Sequence, residues 1–372
     1  MASHPLLDKI NQRMQQLDQD GLLRKRNQTG VSSHIIDFSH NDYLGLATSA
    51  EMISALNQGA NRYGVGSKAS PLVSGYSQAH HDLEKHLCEV TGHEAGLLFC
   101  SGFSANQALL KTLVDGNDVV IADKLIHASM IDGVKDSGAS LKRFKHNDLQ
   151  HAEQLLTRHP ESILLTESVF SMDGDKAPLA ELKGLCQQYN TWLVVDDAHG
   201  FGVLAASSVS QYCDIQVVTF GKALGCQGAA ILGSQAVIDY MVAQSRHYIY
   251  STALSPANAH LALAAVKLTQ SSPHRLNSLQ DNIHYFKQAC AQEKIDLTES
   301  ETAIQPVIIG SSEQTVMVAE QLRAVGLLVG AIRPPTVPKG QARLRITLNT
   351  QHTKTQINQL VMALSRLIHP HN

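Results

Sequence analysis

A lysine, Lys222, stands in Thr219-Phe220-Gly221-Lys222, downstream of an acidic cluster, Asp196-Asp197-Ala198-His199-Gly200. Each group follows an apolar run, Trp192-Leu193-Val194-Val195 before the first and Ile215-Gln216-Val217-Val218 before the second. Both therefore read as strand ends. In an open parallel α/β sheet the carboxyl ends of the strands form the ligand crevice, so an Asp, a His and a Lys are expected to converge there. A lysine amine can hold an aldehyde as a Schiff base, and a carboxylate can keep a pyridine nitrogen protonated so that the ring accepts electrons. That is the chemistry of pyridoxal 5'-phosphate (PLP). An ion pair at about 4 Å carries a Coulomb energy of roughly 4 kcal/mol at an effective dielectric constant of about 20, several pKa units before desolvation is counted.

Asp196 is preferred to Asp197 as the pyridine partner because it ends the buried run, and His199, three residues on, can reach a ring hydroxyl. The phosphate needs donors. Cys100-Ser101-Gly102-Phe103-Ser104-Ala105-Asn106 reads as a strand exit, a small residue that permits close approach, and a helix start. Backbone N–H groups and the helix dipole make an anion site there without a basic side chain. An ordinary Ser-Gly turn would read the same way. Thr219 can add a hydroxyl. His127, in Leu125-Ile126-His127-Ala128-Ser129, lies just past a strand ending near Asp123; it could stack on the cofactor ring or simply begin a helix. Gly64-Val65-Gly66-Ser67-Lys68 lacks the frame of a Walker motif, which excludes a nucleotide loop there.

These residues need a scaffold to bring them together. Residues 1–34 read as a helical arm with a basic knot at Arg24-Lys25-Arg26. Residues 35–270 alternate short apolar runs with longer helical patterns and read as a large, cofactor-binding domain. Its candidate strands include Gly96-Leu97-Leu98-Phe99, Val119-Val120-Ile121-Ala122, Ile163-Leu164-Leu165-Thr166 and Ala229-Ala230-Ile231-Leu232. Continuous β-branched runs suit strands covered on both faces, so the fold class is α/β, with a mostly parallel, doubly wound sheet and right-handed crossovers. Ser271-Ser272-Pro273 is a breaker cluster, and 271–372 reads as a small α+β domain. There, helices are expected over 281–290, 313–325 and 355–367 and strands over 304–309 and 343–348.

The chain has 372 residues and 43% hydrophobic content, enough for two domains and a large core. Thirty basic against thirty-three acidic residues give a formal charge of −3, which offers no general attraction to nucleic acid or a membrane surface. No signal-like N-terminus and no run of roughly 18 apolar residues is present, so a cytoplasmic location is the default expectation. The six cysteines form no C-x-x-C pair and the nineteen histidines no H-E-x-x-H, so neither disulfides nor a metal site is expected.

With these residues in hand the chain resembles the α-oxoamine synthases, PLP-dependent enzymes of fold type I. The resemblance runs over nearly the whole chain, through Asn41-Asp42-Tyr43-Leu44-Gly45-Leu46, Val73-Ser74-Gly75-Tyr76, Ser101-Gly102-Phe103, His127-Ala128-Ser129, Phe170-Ser171-Met172-Asp173-Gly174-Asp175, the acidic cluster and the lysine segment. Ala331-Ile332-Arg333-Pro334-Pro335-Thr336-Val337-Pro338 and Ala342-Arg343-Leu344-Arg345 look like the biotin branch of that family. The resemblance implies that Lys222 holds the cofactor and removes the substrate α-proton, with Asp196 as pyridinium partner. His199 and Ser171 would contact the ring hydroxyl and His127 would stack on the ring. Gly102, Phe103 and Thr219 would hold the phosphate, with Thr252 reaching it from the other subunit of a homodimer with shared active sites.

Arg24, Asn41, His127, Arg333, Thr336 and Arg345 match substrate positions. The implied reaction condenses L-alanine with a pimeloyl thioester, of CoA or of an acyl carrier protein, and releases carbon dioxide and free thiol. The alternatives are a relative that uses glycine and a short acyl group, or a PLP-binding subunit without turnover. One departure is plain: Lys68-Ala69 stand where the family usually has a glycine pair.

Overall fold

The computed structural model describes residues 4–19, 22, 23, 26, 35–205 and 207–368. The chain divides into two units, Met1–Ile35 and Ile36–Asn372. In the first, helix α1 (Pro5–Gln19) carries Leu6, Leu7, Ile10 and Met14 at helical spacing, all of them exposed. Arg24, one of the expected substrate contacts, lies outside the described residues.

The second unit opens with the short strand β1 (Ile36–Asp37) and helices α2 (Ala50–Tyr63) and α3 (Gln78–Thr91). A seven-stranded sheet follows, made of β2 (Ala95–Phe99), β3 (Val119–Asp123), β4 (Ser140–Phe144), β5 (Ile163–Glu167), β6 (Trp192–Asp196), β7 (Ile215–Thr219) and β8 (Ala229–Gly233). Its order is β2-β8-β7-β6-β5-β3-β4. This is the mostly parallel α/β sheet that the apolar runs predict. Helix α4 (Gly102–Leu113) joins β2 to β3, and α5 (Ala128–Ser137) joins β3 to β4.

Alternate residues of the strands bury on opposite faces. Leu165, Val194 and Val217 pack with α4 and α5, whereas Leu164, Leu193 and Val195 pack against Ala152, Leu156 and Leu182 on the other side. At roughly 1.5–3 kcal/mol for each fully buried aliphatic side chain, this two-sided burial explains why the strands are mostly apolar, with Gln216 of β7 satisfied by Asp197.

The sheet differs from the expectation in two places. Strand β8 runs against its neighbours β7 and β2, because the link from Thr219 to Ala229 is too short for a crossover helix and returns as a hairpin. Strand β4, Ser-Leu-Lys-Arg-Phe, has no apolar run to announce it; it lies at the sheet edge, where one side of the ladder is open to polar side chains. From β3 the chain goes out to β4 and returns to β5 on the far side of β3, so the winding reverses between β3 and β5. A ligand crevice is expected at the carboxyl ends there.

At Ser271-Ser272-Pro273 one helix, Pro256–Ser271, stops and another, Pro273–Gln292, starts with proline in its first turn. Beyond it come β9 (Ile304–Gly310), β10 (Leu327–Leu328), β11 (Gly330–Ile332) and β12 (Ala342–Thr347), with helices Ser312–Ala324 and Lys354–Ile368. Strands β11, β12 and β9 form an antiparallel sheet, while β10 pairs with β1. Among the described residues no helix is long and apolar enough to cross a membrane.

Candidate active site

A cavity of about 310 Å³ lies at the carboxyl ends of the central strands. Strand ends supply Glu167 from β5, Asp196 from β6 and Thr219 from β7, while the turns after them supply His199 and Lys222. Gly102, Phe103 and Asn106 enter from the start of α4, and His127 from the residue that caps α5. Seven of the residues singled out in the sequence therefore share one wall: Gly102, Phe103, His127, Asp196, His199, Thr219 and Lys222.

Asp196 is dressed on both oxygens. Asn106 Nδ2 donates to Oδ2 at 2.6 Å and the Ala198 N–H donates to Oδ1 at 3.0 Å. Asn106 Nδ2 also donates to Ser129 Oγ at 3.0 Å, and Ser129 Oγ lies 2.7 Å from His127 Nδ1. The Ser129 N–H also donates to His127 Nδ1, at 3.3 Å. His127 Nδ1 is thus an acceptor, which puts the imidazole proton on Nε2. Burial and then the Lys222 charge push its pKa down, with Asp196 opposing. Asp197 points away from the cavity and accepts from Ser168 Oγ at 2.5 Å and Gln216 Nε2 at 2.7 Å; burial raises its carboxyl to about 7.

His199 is 6% exposed, and its Nδ1 lies 2.6 Å from the Tyr43 hydroxyl. Burial, followed by Lys222 and Arg345, lowers the imidazole well below its usual range, and burial pushes the Tyr43 phenol up to about 12. Both groups are therefore neutral, and one proton lies between Nδ1 and the hydroxyl; where Tyr43 donates it, the imidazole keeps its own proton on Nε2. For Lys222 two influences compete. Its acidic neighbours, Asp196 first, favour the ammonium form, yet burial outweighs them and pushes the amine down to about 8.

The walls fit PLP. Thr219 Oγ1 is buried with no partner, and it faces the start of α4, whose first N–H groups have no acceptor within the helix. Gly102 permits the approach, for a Cβ there would meet Thr219 Cγ2 at 2.5 Å. A dressed carboxylate and a largely neutralisable amine complete the donor set for a pyridine nitrogen and an aldehyde.

The other expected residues lie outside this lining. Ser171 offers its backbone oxygen to Arg345 Nε at 2.6 Å. Arg345 is 6% exposed, also donates to Thr347 Oγ1 at 3.0 Å, and hydrogen-bonds with the Tyr43 side chain. Asn41 Oδ1 lies 3.3 Å from the Tyr43 hydroxyl. Arg333 is half-buried and Thr336 exposed, on either side of a cis Pro334-Pro335 bond. Thr252 is exposed, and its backbone oxygen accepts from Cys100 Sγ at 3.7 Å. Lys68 holds φ at +68°, so the backbone keeps a left-handed conformation where the family usually has glycine.

Sequence reasoning missed Asn106, Ser129 and Tyr43 as hydrogen-bond partners, although each stood in a quoted segment. Their roles depend on which helix face or turn meets the strand ends, which spacing alone does not give. Glu167 was missed despite a usable signal: like Asp196, it is the acidic residue that ends an apolar strand.

The model of the family "aminotransferase class I and II" matches residues 33–364. An 8-amino-7-oxononanoate synthase of Vibrio atlanticus is 46% identical, over 92% of this chain and 87% of its own. That of Vibrio cholerae is 44% identical, over 97% and 94%. Among solved structures, the 8-amino-7-oxononanoate synthase of Francisella tularensis superposes with a TM-score of 0.80 at 31% identity, covering 90% of this chain and 98% of that one. A serine palmitoyltransferase of S. paucimobilis with a bound PLP–myriocin aldimine gives 0.89 at 25% identity, covering 97% and 96%. Such identity held over nine-tenths of the chain, together with a family match that reaches from the first described strand into the last helix, means that this chain belongs to the 8-amino-7-oxononanoate synthase branch of the PLP-dependent class I and II aminotransferase family.

Proposed function

We propose that the protein joins L-alanine to a pimeloyl thioester with loss of carbon dioxide, giving 8-amino-7-oxononanoate and a free thiol in biotin biosynthesis. The observation that carries this reading is the amine of Lys222 sharing one cavity with Asp196 and His199, in a chain that matches the Vibrio synthases at 44–46% identity. Bound PLP supplies an aldehyde that condenses with amines and a ring that draws electron density from the amino acid α-carbon.

The chain's own residues supply the rest. With its pKa pushed down to about 8, Lys222 is neutral in an appreciable fraction near neutral pH, so it can bond the aldehyde and, once released, take the alanine α-proton. Asp196, fixed by Asn106 and Ala198, offers a standing negative charge to the pyridine nitrogen. His199 Nε2–H and Ser171 offer hydrogen bonds to the ring hydroxyl. The first N–H groups of α4, at Gly102 and Phe103, and the Thr219 hydroxyl hold phosphate. His127 covers the ring and orients the substrate carboxylate.

Arg345 and Asn41, both joined to Tyr43, stand one hydrogen bond from His199 and would bind the substrate. Arg333 and Arg24 are the alternative candidates for the distal carboxylate of the pimeloyl chain, and Thr336 would be a further substrate contact. Residues 35–270 would bear the cofactor and residues 271–372 supply Arg333 and Arg345.

The working form would be a cytoplasmic homodimer in which Thr252 of the partner subunit completes the phosphate site. Support comes from the exposed apolar side chains of Val65, Leu72, Val73, Tyr76, Phe103 and Tyr250. The thiol would be CoA or an acyl carrier protein. Product release assayed with alanine, glycine or serine against pimeloyl and acetyl thioesters tests the reading: alanine with a pimeloyl donor should dominate, and preference for glycine with acetyl-CoA would overturn it.

A further inference from the structure

We propose that Glu167 is the proton-bearing member of a carboxyl pair with Asp196, giving a hydrogen bond into the cavity so that the pair presents one negative charge, on Asp196. The assignment rests on the PLP reading only for what the pair serves.

Glu167 and Asp196 are register partners that end neighbouring parallel strands, and such strands lie about 4.8 Å apart. Both side chains line the same cavity, and they are 2% and 5% exposed. Two carboxylates this close and this dry do not both ionise; one takes up a proton. Hydrogen bonds decide which. Asp196 accepts one donor on each oxygen, an arrangement that favours its charged form. Glu167 receives the backbone N–H groups of His127 and Ser171, yet its Oε1 is buried with no partner. A charged oxygen there would be stranded, whereas a hydroxyl has the cavity to donate into.

Burial, and then the Asp196 charge, accordingly hold the Glu167 carboxyl well above its usual range against the pull of Lys222. The remaining titratable and charged groups around the cavity are His127 and His199, whose imidazoles are pushed towards neutrality, Cys100 and Cys226, whose thiols burial pushes up, and Asp197 and Arg345, which act on Lys222. With Glu167 neutral, Lys222 meets one negative charge in the cavity instead of two. Its amine is then free to lose its proton near neutral pH, while Asp196 remains the sole counter-charge for the ring.

The test is an infrared spectrum of the holoenzyme labelled with carboxyl-13C glutamate, in a Glu84→Gln background because burial also raises Glu84 to about 7. A protonated, labelled carboxylic acid band at neutral pH is expected and should vanish on adding E167Q; no band, or a band that survives E167Q, overturns the proposal. The pH midpoint of the absorbance change of bound PLP gives a second readout. A neutral-for-neutral exchange leaves it in place, whereas a fall of about one unit or more in E167Q would mean that a negative charge had been removed. Should E167Q not fold, the band in the Glu84→Gln protein alone decides. Failure of the PLP reading looks different: purified protein takes up no PLP, whatever the infrared band does.

Discussion

Burial lowers the Lys222 amine to about 8 against the pull of Asp196, and this contest sets its chemistry. The neutral fraction of its amine rises with pH, so capture of PLP by apoprotein should accelerate by about tenfold from pH 7 to pH 9 and level off above its pKa near 8. Stopped-flow absorbance checks this; a rate still climbing tenfold per unit at pH 9 would return Lys222 to an ordinary lysine. Lys222→Ala should lower turnover by about a thousandfold or more, because both the amine and the base are lost. Asp196→Asn should keep the fold, since an amide still accepts from Ala198, yet slow deuterium exchange at the alanine α-carbon by roughly a hundredfold or more. An unchanged exchange rate would point to another pyridine partner.

The start of α4 shows how an element makes a site from backbone alone. Ser101 caps the helix by accepting from the Ser104 N–H at 3.2 Å, which leaves the N–H groups before it for an anion. Gly102 is required for a steric reason: its missing Cβ is what lets α4 lie against Thr219 at the end of β7. Gly102→Ala should therefore weaken PLP binding by about tenfold to a hundredfold, the equivalent of 1–3 kcal/mol of overpacking. Cofactor titration of the apoprotein measures it, and an affinity equal to wild type would mean that α4 can shift without consequence. At Lys68 the opposite trade holds. A left-handed residue costs about 1–2 kcal/mol where glycine would not, while glycine would give back about 0.4–1 kcal/mol through the freer unfolded chain, so the strain there is small enough to persist.

For the whole molecule, the two subunits proposed to share each site give a direct test. Hybrids of Thr252→Ala with Lys222→Ala should hold one site with both defects and one with neither, and so recover activity; verified hybrids without recovery would exclude sharing. Stability also belongs to this scale. Burial lowers His352, packed 4.0 Å from the Phe38 ring, to about 4. Unfolded histidine titrates near 6.5, so the unfolded state binds the extra proton, and stability is full above about pH 6.5 and lost as pH falls towards 4, by about 3 kcal/mol at most. Asp197 and Glu84, raised to about 7, act in the opposite direction. The His352 share is thus the difference in urea midpoint between wild type and His352→Gln at pH 7 and pH 5; equal shifts in both proteins would refute it.

The sequence by itself determined the strands, because a strand covered on both faces must be continuously apolar, and β2, β3, β5, β6, β7 and β8 all lie where such runs stand. It also determined Lys222, Asp196, His199 and Gly102 as neighbours, since strand ends and helix starts are local signals and a parallel sheet gathers them at one edge. Polar β4 left no such trace, and the reversal of β8 shows only in a link too short for a helix. Tertiary structure alone decided what surrounds those neighbours. Tyr43 reaches His199 across 156 residues and Asn106 reaches Asp196 across 90. Contacts of that separation depend on how helices dock on the sheet, and docking is set by the summed burial of many side chains rather than by any motif. The same is true of charge: burial, a property of the packed molecule, decides that the Lys222 amine falls to about 8 and that Glu167 stands above the carboxylate range, while the sequence shows only a lysine and a glutamate.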